Sequence, residues 1–247
     1  MAAAGEVTPA RGAADAGDTA ATVRWDKSRV EIFSDGVFAI AITLLVLDIS
    51  VAPSDYDHLR HALAHEWPAY LAYVTSFLTV GSVWIAHHSL FGRLRFIDPV
   101  LLRLNLLLLM TAAFLPFPTS VLAQALHHGG TAERTAVVFY GAAALLIELL
   151  LRAAEQYATS RSDVLMDPTA TEVMTQPIVA HTRLTGWRRW ASTLLYAAGI
   201  LFGVFLFPRL AVIGYLAVGI RSLFVAGSAG RLSLNFGWLI PKRWTRP

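Results

Sequence analysis

Two absences bound what this 247-residue chain is. It has no cysteine, which excludes a disulfide framework, a thiolate metal site and a cysteine nucleophile together. It is also short of charge: 15% of its residues are Asp, Glu, Lys or Arg, against 55% hydrophobic. That is too little charge to cover a soluble globule of this length, and it assigns the chain to the membrane. A third absence is catalytic. No phosphate loop, nucleophile elbow or metalloprotease helix motif occurs, so neither an enzyme nor a cofactor is expected.

Residues 1–22 are rich in Ala, Gly and Thr and lack the apolar core of a secretory signal. They read as a disordered tail. Six apolar runs follow, near Ile32–Ile49, Trp67–His87, Val100–Leu122, Thr135–Leu151, Trp190–Phe207 and Leu210–Val225. Each approaches the roughly 20 residues that cross a hydrocarbon core. The expectation is an all-α integral membrane protein, with six transmembrane helices over residues 23–227 and a basic tail over 228–247. Pro116 and Pro118 should kink or end the third run near its outer edge. Phe207-Pro208-Arg209 leaves room only for an antiparallel hairpin between the last two runs. The connection from Arg152 to Arg189 is the longest, polar and in places helical. No internal repeat is evident.

Orientation follows from the basic residues. With a cytoplasmic N-terminus, only Arg60, Arg134 and Arg209 fall outside, so 17 of the 20 Lys and Arg residues lie inside. That asymmetry is what the positive-inside rule describes, with both termini cytoplasmic.

The stretch Arg29-Val-Glu-Ile-Phe-Ser-Asp35 runs straight into the first apolar run. A carboxylate there is costly, about 2.5–3.5 kcal/mol if it reached the bilayer centre, so Asp35 has a partner or a function. On a wheel of about 100° per residue, Ile40, Thr43 and Leu47 share a wedge of about 60°, and Asp35 lies about 110° from its middle. Taken alone, that stripe fits ordinary helix packing; it equally describes a pore-lining face of apolar rings with one ring of hydroxyls. Arg29 and Asp35, six residues apart, are not neighbours on one face. A structural polar cluster at the inner boundary is favoured over direct ion binding.

His87 and His88 are adjacent, point to different sides of a helix and have no ligand at i+4, so no metal site is expected. One of them is expected to satisfy Asp35 or a backbone carbonyl, with Asn105 as a third member of the network. Glu148 has Arg152 four residues on, an intrahelical pair near the inner interface. His58, His61 and His65 share one face of a short outer helix beside Asp55, Asp57 and Glu66. A solvated acidic loop is favoured there over a proton sensor or weak metal site. Gly199 and Gly203 have helix-packing spacing. Thr79-Val-Gly81 and Tyr215-Leu-Ala-Val-Gly219 look like filter fragments, but both lie inside continuous apolar runs with no re-entrant loop.

Arg29, Phe33, Ser34 and Asp35 match the RxxxFSD signature of the transmembrane protein 175 potassium channel family. Trp84, His87, His88 and Phe91, then Asn105-Leu106, then Pro116-Phe-Pro-Thr119 support the resemblance across the first three helices. The last three helices agree in number and length but weakly in motif. The resemblance implies a homotetramer of six-helix subunits in the bacterial inner membrane, with the first helix lining a central potassium-permeable pore that lacks a TVGYG filter. It puts Ile40 at the main hydrophobic constriction, with Thr43 and Leu47 following outward. It puts Arg29, Ser34 and Asp35 in a polar network tying the first helix to the second and third. Partners are then potassium ions, lipid and further copies of the chain, with no nucleic acid. The competing reading is a proton-coupled transporter using Asp35 and the histidines; a membrane enzyme centred on His87 and His88 is a third.

Overall fold

Asp26 begins the first helix because its extended backbone turns the side chain onto the Ser28 amide, at 3.0 Å, satisfying one of the orphan donors of a helix start. The helix that follows, α1, spans Lys27–Leu44 and tightens into a 3₁₀ turn at Leu45–Asp48. A second 3₁₀ turn, Pro53–His58, leads into α2, Leu59–His65, and the 26-residue α3, Trp67–Gly92. Then come α4 (Pro99–Phe114), α5 (Pro116–His128), α6 (Gly130–Ser160), the single turn α7 (Ser162–Leu165) and α8 (Pro208–Ala229). The computed structural model describes residues 25–167, 193–201 and 208–229; residues 193–201 are helical.

Among the described residues four stretches are long and apolar enough to span a bilayer: Lys27–Leu47, Trp67–Gly92, Pro99–His128 and Gly130–Ser160. They coincide with the first four expected runs. The sixth corresponds to α8, which continues through Ala229. The fifth is described only over 193–201, and most of the long connection and both tails lie outside the described residues. The start of that connection is helical, since α6 runs on through Arg152 to Ser160.

The prolines interrupt the third span, as expected: α4 ends at Phe114, and α5 carries the chain on through His128, beyond the expected end at Leu122. Pro116 has no N–H to give, so the Leu115 amide takes Ala112 O at 3.2 Å and the ladder restarts with Thr119 N on Leu115 O at 3.1 Å. Pro116 thus occupies the first turn of a new helix, where its missing donor is not needed. The turn from α5 into α6 uses Gly129 and Gly130, both left-handed with φ of 71° and 67°.

Lipid tails are as apolar as leucine, so close packing and hydrogen bonds, rather than burial of apolar area, hold such a bundle together. A core of Phe38, Val83, Leu108, Leu115, Leu122, Val137, Tyr140, Ile147 and Tyr215 joins all the long helices. Tyr215 fits against Gly141 and Gly199: a Cβ on Gly199 would come within 2.7 Å of its ring. Gly199 and Tyr215 stand equally far from residue 207, as an antiparallel hairpin requires. Inside this core lies a hydroxyl network that the sequence reading missed. Ser76 Oγ meets Thr119 Oγ1 at 2.7 Å and donates to Tyr140 OH at 3.2 Å, while Thr79 Oγ1 meets Tyr196 OH at 3.1 Å. Thr79–Gly81 and Tyr215–Gly219 are therefore helical packing positions. At the end of the bundle where α1 begins, a smaller core of Leu90, Phe91, Leu94, Ile97 and Leu101 packs on Ala154, Ala158 and Leu165. Asp98 caps α4 through the Leu101 amide at 2.8 Å and also accepts from Tyr157 OH.

Candidate functional site

The first helix divides into two faces. Ser34, Phe38, Ala41 and Leu45, spaced four, three and four residues apart, are buried against the bundle. On the opposite side Ile40 is 60% exposed, Leu47 is 71% exposed and Thr43 is exposed. The Thr43 hydroxyl donates to Ile40 O at 2.9 Å, which settles its proton and leaves its oxygen facing outward as an acceptor. Among the described residues nothing covers this stripe.

Three side-chain anchors fix the rotation of α1. Asp35, half-buried beside the stripe, accepts a 2.8 Å hydrogen bond from the Trp84 indole N–H of α3. Glu31 pairs with His88, also on α3, at 3.2 Å, and His88 stacks on Trp84 with centroids 5.9 Å apart. The third anchor is a buried relay to α4. His87 Nε2 meets Asn105 Oδ1 at 2.8 Å, Asn105 Nδ2 donates to Ser34 Oγ at 3.0 Å, and Ser34 Oγ donates to Val30 O at 2.8 Å. Read in that direction each contact of the relay has a donor and an acceptor, with neutral His87 carrying its proton on Nε2. Its bare Nδ1 lone pair is left without a hydrogen-bond partner. The reverse direction strands an N–H instead, which is the rarer and costlier orphan. Phe38 edge-on at 5.3 Å and Phe91 stacked at 4.0 Å complete the His87 pocket.

The polar cluster is thus assembled from Ser34, Asp35, Trp84, His87, His88 and Asn105, but not by the pairing expected. Neither histidine reaches Asp35. Trp84 and His88 sit one helical turn apart on the side of α3 that faces Asp35 and Glu31, whereas His87, about 100° round the helix, turns toward α4. Arg29 is exposed and makes no ion pair among the described residues. Instead it lines a cleft of about 360 Å³ between α1 and α4, together with Trp25, Val30, Phe33, Leu102 and Leu106. Phe33, 56% exposed, is a wall of that cleft rather than a core residue. Glu31 went unnoticed in the sequence; its position four residues before Asp35, on the flank facing His88, was the available signal.

Elsewhere, Glu148 pairs with Arg152 at 2.9 Å as expected, and Arg152 also reaches Glu155 at 3.3 Å. Of the histidines around α2, His61 stacks on His65 and His65 on His127, with centroids 6.3 and 5.0 Å apart. His58 ends the preceding 3₁₀ turn and does not join them, because the helix starts one residue later. Among the described residues no three His, Asp or Glu side chains are placed to hold a metal ion.

The segment that carries the stripe and its anchors is also the segment that resembles known proteins. The model for the family described as endosomal/lysosomal potassium channel TMEM175 matches residues 29–116. A potassium channel of Streptomyces collinus is 44% identical over 144 residues, covering 58% of this chain and 69% of that protein. The chain belongs to the TMEM175 family. The crystal structure of a lysosomal potassium-selective channel TMEM175 homolog from Chamaesiphon minutus superimposes with a TM-score of 0.65 at 30% identity, covering 81% of this chain and 97% of that one. The endosomal/lysosomal proton channel TMEM175 of Danio rerio is 53% identical over 74 residues, 26% of this chain and 14% of that protein. The matched segment 29–116 holds α1 from Arg29 onward, α3, α4 and every anchor described above.

Proposed function

We propose that this chain is the subunit of a homotetrameric, potassium-permeable leak channel of a bacterial inner membrane, with α1 of each copy lining the pore. The observation that carries the reading is the bareness of Ile40, Thr43 and Leu47 on a helix whose opposite face is locked into the bundle, in a chain similar to potassium channels. Four such helices around an axis stack three rings, about 4.5 and 6 Å apart. The Ile40 ring offers a cation no oxygen in exchange for its water, and a narrow apolar ring closes by dewetting. Thr43, about one turn further out, supplies the hydroxyl oxygens that assist partial dehydration. Asp35, Ser34 and Asn105 act structurally: they hold the stripe at the axis. Both termini lie in the cytoplasm, as the basic asymmetry requires.

A proton-coupled transporter needs titratable groups near the midplane of broken helices. Here α1 is continuous past Ile40, and Asp35 is engaged by Trp84 near the inner end.

Cysteine accessibility tests the face directly, because the chain has no native thiol. A cationic thiol reagent should block current through Ile40→Cys, Thr43→Cys and Leu47→Cys channels. Phe38→Cys and Leu45→Cys, buried in the bundle, should keep conducting. Block at the buried positions with none at the stripe would put the pore elsewhere.

A further inference from the structure

Three buried side-chain atoms among the described residues have no hydrogen-bond partner: His87 Nδ1, Thr193 Oγ1 and Arg221 Nε. The first belongs to the relay described above. The other two sit on different helices, Thr193 on the stretch over 193–201 and Arg221 on α8. Contacts within the core bring them to one level. Gly199 lies against the ring of Tyr215, and Tyr196 stacks on the same ring with centroids 5.8 Å apart. Between antiparallel helices, six residues back from Gly199 matches six residues on from Tyr215, so Thr193 is level with Arg221. Helix α3 gives the same register independently. Tyr196 meets Thr79 at 3.1 Å, and a Cβ on Gly219 would come within 3.1 Å of Leu78. Thr193 and Arg221 lie a few residues from these contacts, in the direction of the end where α1 begins. That places both level with residues 80–82 of α3, just past the midpoint of Trp67–Gly92.

A guanidinium half-way along a spanning helix is costly, and an ionisable residue at that depth marks a site. A buried polar group without a partner in the chain is satisfied by an ion or a water. The chemistry of the two side chains says which. Arg221 Nε–H only donates, and the Thr193 hydroxyl can donate as well, so one guest can accept from both. No carboxylate answers them: the two buried acids among the described residues, Glu133 and Glu148, pair with Arg209 at 3.3 Å and with Arg152 at 2.9 Å. Lipid phosphates stand too far off, since a hydrocarbon core about 30 Å thick puts either row of headgroups about 15 Å from its middle. Water accepts hydrogen bonds but leaves the buried charge uncompensated. We propose that Thr193 and Arg221 form a binding site for a small inorganic monoanion, of the size and charge of chloride, between α8 and the helix over 193–201. Such an ion accepts both hydrogen bonds, cancels the guanidinium charge and ties the two helices together. The site belongs to each subunit by itself, on a helix that packs against α3 and α6.

The halide dependence of the full chain tests this. The protein is purified in detergent in potassium gluconate, and chloride or bromide then replaces gluconate at constant ionic strength. The unfolding temperature should rise and level off as either halide is added. Arg221→Met should abolish the response, and in gluconate it should be at least as stable as the parent, because it removes an unpaired buried charge. Thr193→Val keeps the shape and removes one donor, so the halide concentration giving half the effect should rise about tenfold. Crystals grown in bromide should show an anomalous peak within hydrogen-bond distance of Arg221 Nε and Thr193 Oγ1. A parent chain indifferent to halide, with no bromide peak, would overturn the site. So would a halide response that survives Arg221→Met, since the ion would then act elsewhere. Stabilisation by added phosphatidylglycerol that Arg221→Met removes, with no response to halide, would assign the guanidinium to a lipid headgroup and overturn it too.

Discussion

Replacing Ile40 with Asn should raise resting current in proteoliposomes by about tenfold or more, and relax the discrimination between potassium and sodium. A tenfold change corresponds to a barrier lowered by only about 1.4 kcal/mol. In the proposed tetramer, four amide side chains in place of four sec-butyl groups would give water and cations a hydrogen-bonded path through the Ile40 ring, removing the dewetted segment. The comparison must be chosen from the structure. Ala41, one residue along, is fully buried in the bundle, so Asn there would test folding rather than the pore. Leu146, 48% exposed on α6 and far along the chain from α1, is the better control. Leu146→Asn should leave resting current near the parent value. Current raised equally by both, or unchanged by Ile40→Asn, would remove the stripe from the conduction path.

The second large effect is expected at Asn105. It is the side chain that joins His87 to Ser34 in the relay. Asn105→Ala strands the His87 Nε2 proton in a buried pocket and removes the donor from Ser34 Oγ. At about 1–3 kcal/mol for each buried group left unmatched, most of it falling on His87, the loss is about 2–4 kcal/mol per subunit. The reading is a lowered unfolding temperature of the detergent-purified assembly. Ser34→Ala should cost less, because the Ser34 proton already lies on its own helix at Val30 O. Replacing His87 and Asn105 together by leucine should recover part of the loss, since removing both partners leaves no polar group stranded. A double variant no more stable than Asn105→Ala would show that the relay does more than pair its own members.

The sequence displayed the stripe and the membrane spans because both are written in local periodicity: apolar runs of helical length, and one helix whose polar residue falls off the apolar wedge. The identity of the cluster was also visible, since Asp35, Trp84, His87, His88 and Asn105 are conspicuous in apolar surroundings. Their pairing was not. Whether His87 or Trp84 meets Asp35 depends on the rotation of α3 against α1, a tertiary quantity that no spacing within either helix encodes. Glu31 was hidden for the same reason, its partner His88 being 57 residues away. The hydroxyl network of Ser76, Thr119, Tyr140, Thr79 and Tyr196 was out of reach too, as isolated hydroxyls in an apolar run look alike whether they face lipid or one another. In the third span Pro116 announced the break, but not that the helix it starts runs on through His128.

The central claim is passive potassium permeation through a ring of first helices. It is tested most directly by the reversal potential of the full chain in proteoliposomes, with potassium and proton gradients set in opposite directions and sodium equal on both sides. The account predicts a current without added coupling ion, reversing near the potassium equilibrium potential and moving with it as potassium is varied. A reversal that follows the proton gradient, or potassium flux only when protons move with it, would contradict it.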